Sequence, residues 1–285
     1  MNNIWSTHIQ GPKTLWHSRA LRFSDMYKEQ YMRAFALDDG AKILEIGCGP
    51  GALCSSLKRW YPEAEVIGLD PDSGFIEFAK SSVPNAEFIE GYADALPFSD
   101  GSLDATISNT VAEHVEPSEF FGEQYRVLKE GGVCLVLSTR HSISHTAPCI
   151  AEESAREKEL WQKLSESAKE NDEKFKVCGY PMTEQEYPAA MKKYGFRNIT
   201  VDYVTVNLTP DDPRNSRETA IEMINAERVN ELEAVVTHGA LSEADEKELI
   251  SLINGRYDRR IELYDAGEKQ WDANIVTIMV MRGVK

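Results

Sequence analysis

Residues 43–51, ILEIGCGPG, constrain this chain more than any other stretch. A short, continuous apolar run (Ile43, Leu44, Ile46) has Glu45 as its one acidic member. Its length and composition predict a buried strand. Gly47, Gly49 and Gly51 follow at alternate positions. They predict a turn that lies close to something, because a Cβ there would hold a ligand off the backbone. The next residues, ALCSSLKRW, return to helical spacing through Leu53, Leu57 and Trp60. Strand, glycine turn and helix make the first half of a nucleotide-binding βαβ unit.

More than one chemistry shares that beginning. Gly47, Gly49 and Ala52 satisfy the G-x-G-x-x-G/A pattern, and Asp70 lies 19 residues past Gly51, where that pattern expects a ribose-binding acid. An NAD-type oxidoreductase is therefore one reading. An enzyme that uses S-adenosylmethionine is a second, and a non-catalytic α/β binding module is a third.

Composition narrows the partners. With 47 acidic against 31 basic residues the net charge is −16. Phosphate backbones need a cationic surface, so nucleic acid is not expected as a partner. The five cysteines are odd in number and contain no C-x-x-C pair, which fits a reducing compartment and no zinc site. Cys134 sits in an apolar run and reads as core, whereas Cys149 and Cys178 lie in polar segments. The N-terminus lacks an apolar signal core, and no run approaches the ~18 apolar residues of a membrane span. A cytoplasmic protein is the expectation.

Taken in order, residues 1–13 read as irregular. Leu15, Trp16, Ala20, Phe23, Tyr27, Tyr31 and Phe35 then predict one aromatic helix over 14–36. Strands are predicted at 42–47, 65–70, 86–90, 103–108 and 133–138, with helices at 51–60, 73–82 and 118–128. Strands alternating with helices imply a doubly wound parallel sheet with helices on both faces. Beyond it come a polar stretch from His141, helices at 151–169 and 184–194, and a strand at 197–208. Two helices follow within 210–272, the first ending near Gly239 and the second starting at Ser242. The closing strand is NIVTIMVMR.

Residues 40–138 resemble the class I methyltransferases that use S-adenosylmethionine, in particular the group related to the ubiquinone and menaquinone biosynthesis methyltransferases (methyltransferase type 11). The resemblance rests on ILEIGCGPG, VIGLDPD, EGYADALPFSDGSLDATIS and LKEGGVCLVL, which match that family's four main blocks in order and spacing. It implies a seven-stranded Rossmann-like sheet with the last strand antiparallel, plus a helical cover. The implied organisation is an N-terminal lid at 1–36, a core at 37–209 with an insertion at 139–182, a helical insertion at 210–272 and a final core strand at 273–285. The apolar faces within 210–272 read alternatively as the contact of a homodimer.

The resemblance also assigns roles. The cofactor is S-adenosylmethionine and the product S-adenosylhomocysteine. Gly47, Cys48, Gly49 and Gly51 form the turn beside its tail and ribose. Glu45, which has no role in the dinucleotide pattern, supports the amino-acid end, and Asn109 faces the tail amine. Asp70, followed by Pro71, accepts the ribose hydroxyls, a bidentate task suited to an ionised carboxylate. Asp94 accepts from the adenine amino group, and the Ala95 amide faces the ring. Read without the resemblance, Asp70 is a helix-start acid and Asp94 a turn residue.

Glu113 and His114, after the fourth strand, are the candidate catalytic residues, ahead of His141 and His145. A base is needed only where the acceptor bears a proton at its reacting atom. Trp16, Arg19, Arg22, Phe23 and Tyr27, together with Trp5, are candidates to close a lid over a small-molecule acceptor. The alternative for this stripe is plain core packing. No [DN]PP[YFW] follows the fourth strand, which argues against an amino-methylating nucleic-acid enzyme. Asn109-Thr110 and Ser138-Thr139-Arg140 stand where metal-dependent relatives place carboxylates, so no metal is expected.

Overall fold

The computed structural model describes residues 4–147, 149, 153–175, 177–238 and 241–285. Its strands are β1 (Lys42–Ile46), β2 (Glu65–Asp70), β3 (Glu87–Glu90), β4 (Leu103–Asn109), β5 (Leu128–Thr139), β6 (His145–Ala147), β7 (Arg197–Leu208) and β8 (Ala273–Val284). The glycine-turn strand β1 is central, parallel to β2 on one side and β4 on the other. The sheet runs β3-β2-β1-β4-β5-β8, and β7 pairs the far edge of β8. β8 is antiparallel to both β5 and β7. A dinucleotide fold of order 3-2-1-4-5-6 has no antiparallel strand inserted at that point. The topology thus speaks against the nicotinamide reading and matches the seven-stranded sheet with an antiparallel last strand.

β6 is an additional element, where an irregular segment was expected. It pairs with residues 273–275 of β8, in line with the β5–β8 ladder after a break at residues 140–144.

The helices are α1 (Ile4–His8), α2 (Pro12–Arg22), α3 (Lys28–Phe35), α4 (Ala52–Trp60), α5 (Ser73–Ser82), α6 (Pro117–Val127), α7 (Ala155–Phe175), α8 (Glu186–Lys193), α9 (Arg217–His238) and α10 (Glu243–Asp265). The single helix expected over 14–36 is broken. Pro12 starts α2, where its missing N–H is harmless. Ser24 is extended (φ −71°, ψ 160°) and a 3-10 turn at Asp25–Tyr27 leads into α3. The break lets Phe23, Tyr31 and Phe35 all reach the core, where Tyr31 stacks on Trp60. Residues 28–35 thus belong to the core, which leaves α1 and α2 as the part of the expected 1–36 lid outside it. α1 itself forms where irregular chain was expected. The helix expected at 151–169 is displaced to α7; the readings at 151, 152 and Gly239 lie outside the described residues.

Alternation along the strands divides the core between two faces. Ile43, Val66, Ala105, Ile107, Leu135 and Ile278 pack with α2, α3 and α4. Leu44, Ile46, Leu69, Leu103, Val136 and Met279 pack with α6 and α8. This is why β1 reads as an unbroken apolar run. A third cluster joins Leu160 and Leu164 of α7 to Ile224 and Val235 of α9 and Leu249 and Ile253 of α10. The apolar stripes within 210–272 are therefore buried against each other and α7 inside one chain. That burial leaves the homodimer reading without the apolar faces that motivated it.

Candidate functional site

A cavity of about 850 Å³ opens at the carboxyl ends of β1, β2 and β4, beneath α1 and α2. This is the edge where open α/β sheets bind ligands. Of the expected cofactor residues, Glu45, Gly47, Cys48, Gly49, Asp70, Pro71, Asp94 and Asn109 line it. A smaller cavity of about 300 Å³, beside α9 and α10, contains none of them.

The glycine turn has two jobs. A Cβ on Gly49 would meet only Leu15 Cδ1, at 3.9 Å, so this position is open to a ligand. A Cβ on Gly51 would come within 3.1 Å of Ala79 and Phe88. Gly51 therefore allows α4 to pack closely, does not line the cavity, and differs in this from the expectation.

Asp70 is 7% exposed at the end of β2. Its Oδ2 accepts the Gly49 N–H and its Oδ1 the Asp72 N–H, both at 2.9 Å. These bonds fix the carboxylate and leave each oxygen one further acceptor site. Burial pushes its pKa up to about 6, against the pull of those two N–H groups.

Glu45 is more deeply placed, at 3% exposed. Burial pushes its pKa up to about 8, opposed by hydrogen bonds from the Cys54 side chain and backbone, while the charge of Asp70 adds to the rise. Glu45 Oε2 is buried without a partner, as are Asn109 Oδ1, Thr139 Oγ1 and Arg22 Nε. All four residues line the cavity. A buried polar atom left unpaired costs about 1–3 kcal/mol, and native proteins keep few of them. Their gathering around one cavity marks where a polar ligand fits.

The cover is tied down by specific contacts. Ser6 of α1 donates to Asp72, and Trp5 packs edge-on against His114 at 4.8 Å. Arg19 Nη2 donates to Thr110 Oγ1 at 3.2 Å. Arg22 and the fully buried Phe23 also line the cavity. Trp16 and Tyr27 do not, and they take the packing role instead. Trp16 leans on Phe78 of α5, and the Tyr27 hydroxyl donates to the Asn207 carbonyl and accepts its N–H.

Glu113 and His114 both reach the cavity from the loop after β4. The Tyr187 hydroxyl lies 3.5 Å from Glu113 Oε2 and equally far from Ser138 Oγ. The Tyr180 N–H donates to the Glu113 carbonyl at 2.8 Å. His114 Nδ1 accepts the Cys178 N–H at 3.0 Å. That bond assigns the neutral ring its proton on Nε2, so toward a ligand the ring is a donor. Burial holds the imidazole below its ordinary pKa, against the charge of Glu113.

The remaining expectations divide. Asp94 is exposed and lines the cavity. Ala95 does not line it; its N–H is used by the Tyr92 carbonyl at 3.3 Å. His141 lines the cavity, whereas His145 pairs with Ile275 on the sheet. Sequence reasoning missed Thr110 and Tyr187. Thr110 has φ +54°, costly for a β-branched residue and typical of strain at functional sites.

Comparison with known proteins bears on the fold and the family. Residues 44–136 match a family model described as a methyltransferase domain. A ubiquinone/menaquinone biosynthesis C-methyltransferase, UbiE, of Campylobacter jejuni is 34% identical over 133 residues, 45% of this chain and 53% of that protein. A fatty-acid O-methyltransferase of Mycolicibacterium smegmatis is 37% identical over 106 residues, 36% of this chain and 38% of that protein. The chain thus spans about half, or less, of the length of these curated relatives. Among solved structures, a Haemonchus contortus phosphoethanolamine N-methyltransferase 2, in complex with phosphomonomethylethanolamine and S-adenosylhomocysteine, aligns with a TM-score of 0.51 at 20% identity, covering 92% of this chain and 53% of that one. The YcgJ protein of Bacillus subtilis aligns with a TM-score of 0.51 at 19% identity, covering 92% of this chain and 99% of that one. At such identity these two speak for the fold. Sheet order, motif blocks and family match agree on a methyltransferase domain at residues 44–136, set in a sheet of the class I methyltransferase fold.

Proposed function

We propose that this chain transfers a methyl group from S-adenosylmethionine to a small-molecule acceptor. The observation that carries the reading is the placement of Asp70 and the partnerless Glu45 Oε2 and Asn109 Oδ1 on the walls of one cavity. A ribose diol and an ammonium group are the donors such acceptors suit. The cofactor, when bound, supplies a methyl group already activated on a sulfonium.

The residues divide the work as follows. Asp70 accepts both ribose hydroxyls, and Asp94 accepts from the adenine amino group. Glu45 and Asn109 accept from the ammonium of the tail, and Arg19 donates to its carboxylate. Glu113, held by Tyr187, takes the proton of an acceptor that carries one. His114 donates from Nε2 and orients the acceptor. Positioning inside a closed cavity is worth up to ~7–11 kcal/mol of a barrier, and α1 and α2 keep water out. The odd number of cysteines and the lack of a C-x-x-C pair support a reducing, cytoplasmic setting. Among the described residues no helix is long and apolar enough to cross a membrane.

Calorimetry with S-adenosylhomocysteine and with NADH tests the reading. The first is expected to bind and the second to give no heat. Binding of NADH alone overturns it.

A further inference from the structure

We propose that the methyl acceptor carries an oxyanion, a carboxylate or a phosphate, and that Arg22 is the residue that selects it. The inference rests on the methyltransferase reading above.

Arg19 and Arg22 stand three residues apart on α2, on one helix face, and both line the large cavity. Neither forms an ion pair among the described residues. That is unusual in a chain of net charge −16, whose half-buried Arg256 and buried Arg260 both sit on carboxylates. Arg19 has one bond, to the neutral Thr110 hydroxyl, and Arg22 Nε is buried without a partner. Burial and mutual repulsion act on Arg19, pushing its guanidinium down to about 9, and burial pushes Arg22 down as well.

Two desolvated cations side by side cost several kcal/mol unless anions reach them. The cofactor tail brings one carboxylate. Arg19, bonded beside Asn109 at the end of β4, is the cation in place for it. Arg22 lies one turn further along α2, and Glu227 of α9 is the acid whose charge it feels most. Among the described residues no ion pair joins the two, and Glu227 Oε1 accepts from Asn274 Nδ2 at 2.8 Å. One half-buried guanidinium, its Nε wholly enclosed, therefore faces the cavity with no direct ion-pair partner among the described residues. Its planar fork fits carboxylate and phosphate oxygens. A neutral acceptor would leave Arg22 desolvated and unpaired, and unpaired buried groups are how sites reject analogues strongly.

The test uses the full chain saturated with S-adenosylhomocysteine, titrated calorimetrically with hexanoate, hexyl phosphate and hexanamide. At least one anion is expected to bind tenfold or more tightly than the amide, and which one identifies the head group. Arg22→Gln should abolish that preference while S-adenosylhomocysteine affinity stays within about threefold, and Arg22→Lys should restore part of it. Equal affinity for all three probes, no measurable binding of either anion, or a preference that survives in Arg22→Gln overturns the proposal. Failure of the wild type to bind S-adenosylhomocysteine is a separate result and strikes the cofactor reading instead.

Discussion

Ser6 is tied to Asp72 twice: its backbone N–H donates to Oδ2 at 2.9 Å and its hydroxyl to Oδ1 at 2.7 Å. The same Oδ1 accepts the N–H groups of Gly74 and Phe75 and so caps α5. One carboxylate thus joins the cover to the start of the helix that follows the ribose acid, two residues past Asp70. In the proposed lid role, cofactor exchange opens this latch. A hydrogen bond to a charged group contributes about 1.5–3 kcal/mol when sheltered and less when partly exposed. Ser6→Ala should therefore speed S-adenosylhomocysteine release about fivefold in stopped-flow measurements, with the melting temperature unchanged. An unaltered release rate removes α1 as a gate.

Asp70 gives a second prediction. In the proposed role its ionised form accepts the ribose hydroxyls, and burial raises its pKa to about 6. Affinity for S-adenosylhomocysteine should hold from neutral pH upward and fall as pH drops through 6. Asp70→Asn should weaken binding by about 2–3 kcal/mol, the scale of a charged hydrogen-bond partner, and flatten that pH dependence. Isothermal titration across pH 5–8 reads both. A binding constant indifferent to the substitution contradicts the ribose assignment.

Asp70 was legible in the sequence because strand ends are set by local pattern. The apolar run from Glu65, the acid closing it and the helix start behind it all fall within a few residues. The glycine turn, β4 and β5 were legible for the same reason. What escaped depends on contacts between distant residues. Ser6 meets Asp72 across 66 positions, and Tyr187 meets Glu113 across 74. No local spacing marks such pairs. The break at Ser24 escaped because the aromatics on either side keep helical spacing, and only the buried positions of Phe23 and Tyr31 require the chain to turn. Trp16 and Tyr27 were misplaced by the same stripe, since its period carries no information on which face meets the cavity.

The role proposed for Glu45 opposes stability. Its folded pKa, about 8, stands above that of an ordinary carboxylate. The folded protein therefore binds more protons than the unfolded chain between pH ~4.5 and 8, and stability falls as pH rises through that window. Below it the penalty is absent, and above pH 8 it is complete. Glu45→Gln should stabilise the ligand-free protein at pH 8.5, by a margin on the order of 3 kcal/mol that shrinks toward pH 5, read as a higher melting temperature. The same substitution should weaken S-adenosylhomocysteine binding. A variant less stable than wild type at pH 8.5 would show that Glu45 is satisfied inside the protein itself.

His114 can be read directly by NMR. The Cys178 N–H bond to Nδ1 requires the Nε2–H tautomer, and burial lowers the pKa. Nitrogen-15 correlation spectra should show that tautomer at pH 7, titrating below the ordinary ~6.5. A ring protonated at Nδ1 alone would leave Nε2 an acceptor and make His114 rather than Glu113 the base, whereas a ring charged at neutral pH would overturn the neutral-donor role.

The helical segment of α9 and α10 has an anchor of its own. Asp211 is fully buried; its Oδ2 accepts from Arg260 Nη2 at 2.9 Å and from the N–H groups of Gln270 and Trp271. Burial pushes the carboxyl upward, but these donors outweigh it and hold it below the usual range. Arg260, 2% exposed, also bonds Asp272, so the cluster pins α10 to the start of β8. Asp211→Ala strands a buried cation and two amides, a loss of about 3–5 kcal/mol, which lowers the melting temperature by ~10 °C. Asp211→Asn, which keeps an acceptor oxygen, should lose less. Combining Asp211→Ala with Arg260→Met removes the stranded charge and should recover part of the loss. The cluster lies outside the large cavity, so S-adenosylhomocysteine affinity measured well below the melting transition should not change. If affinity falls with stability, α10 and the cofactor pocket are coupled, and the helical segment acts on the site rather than only bracing it.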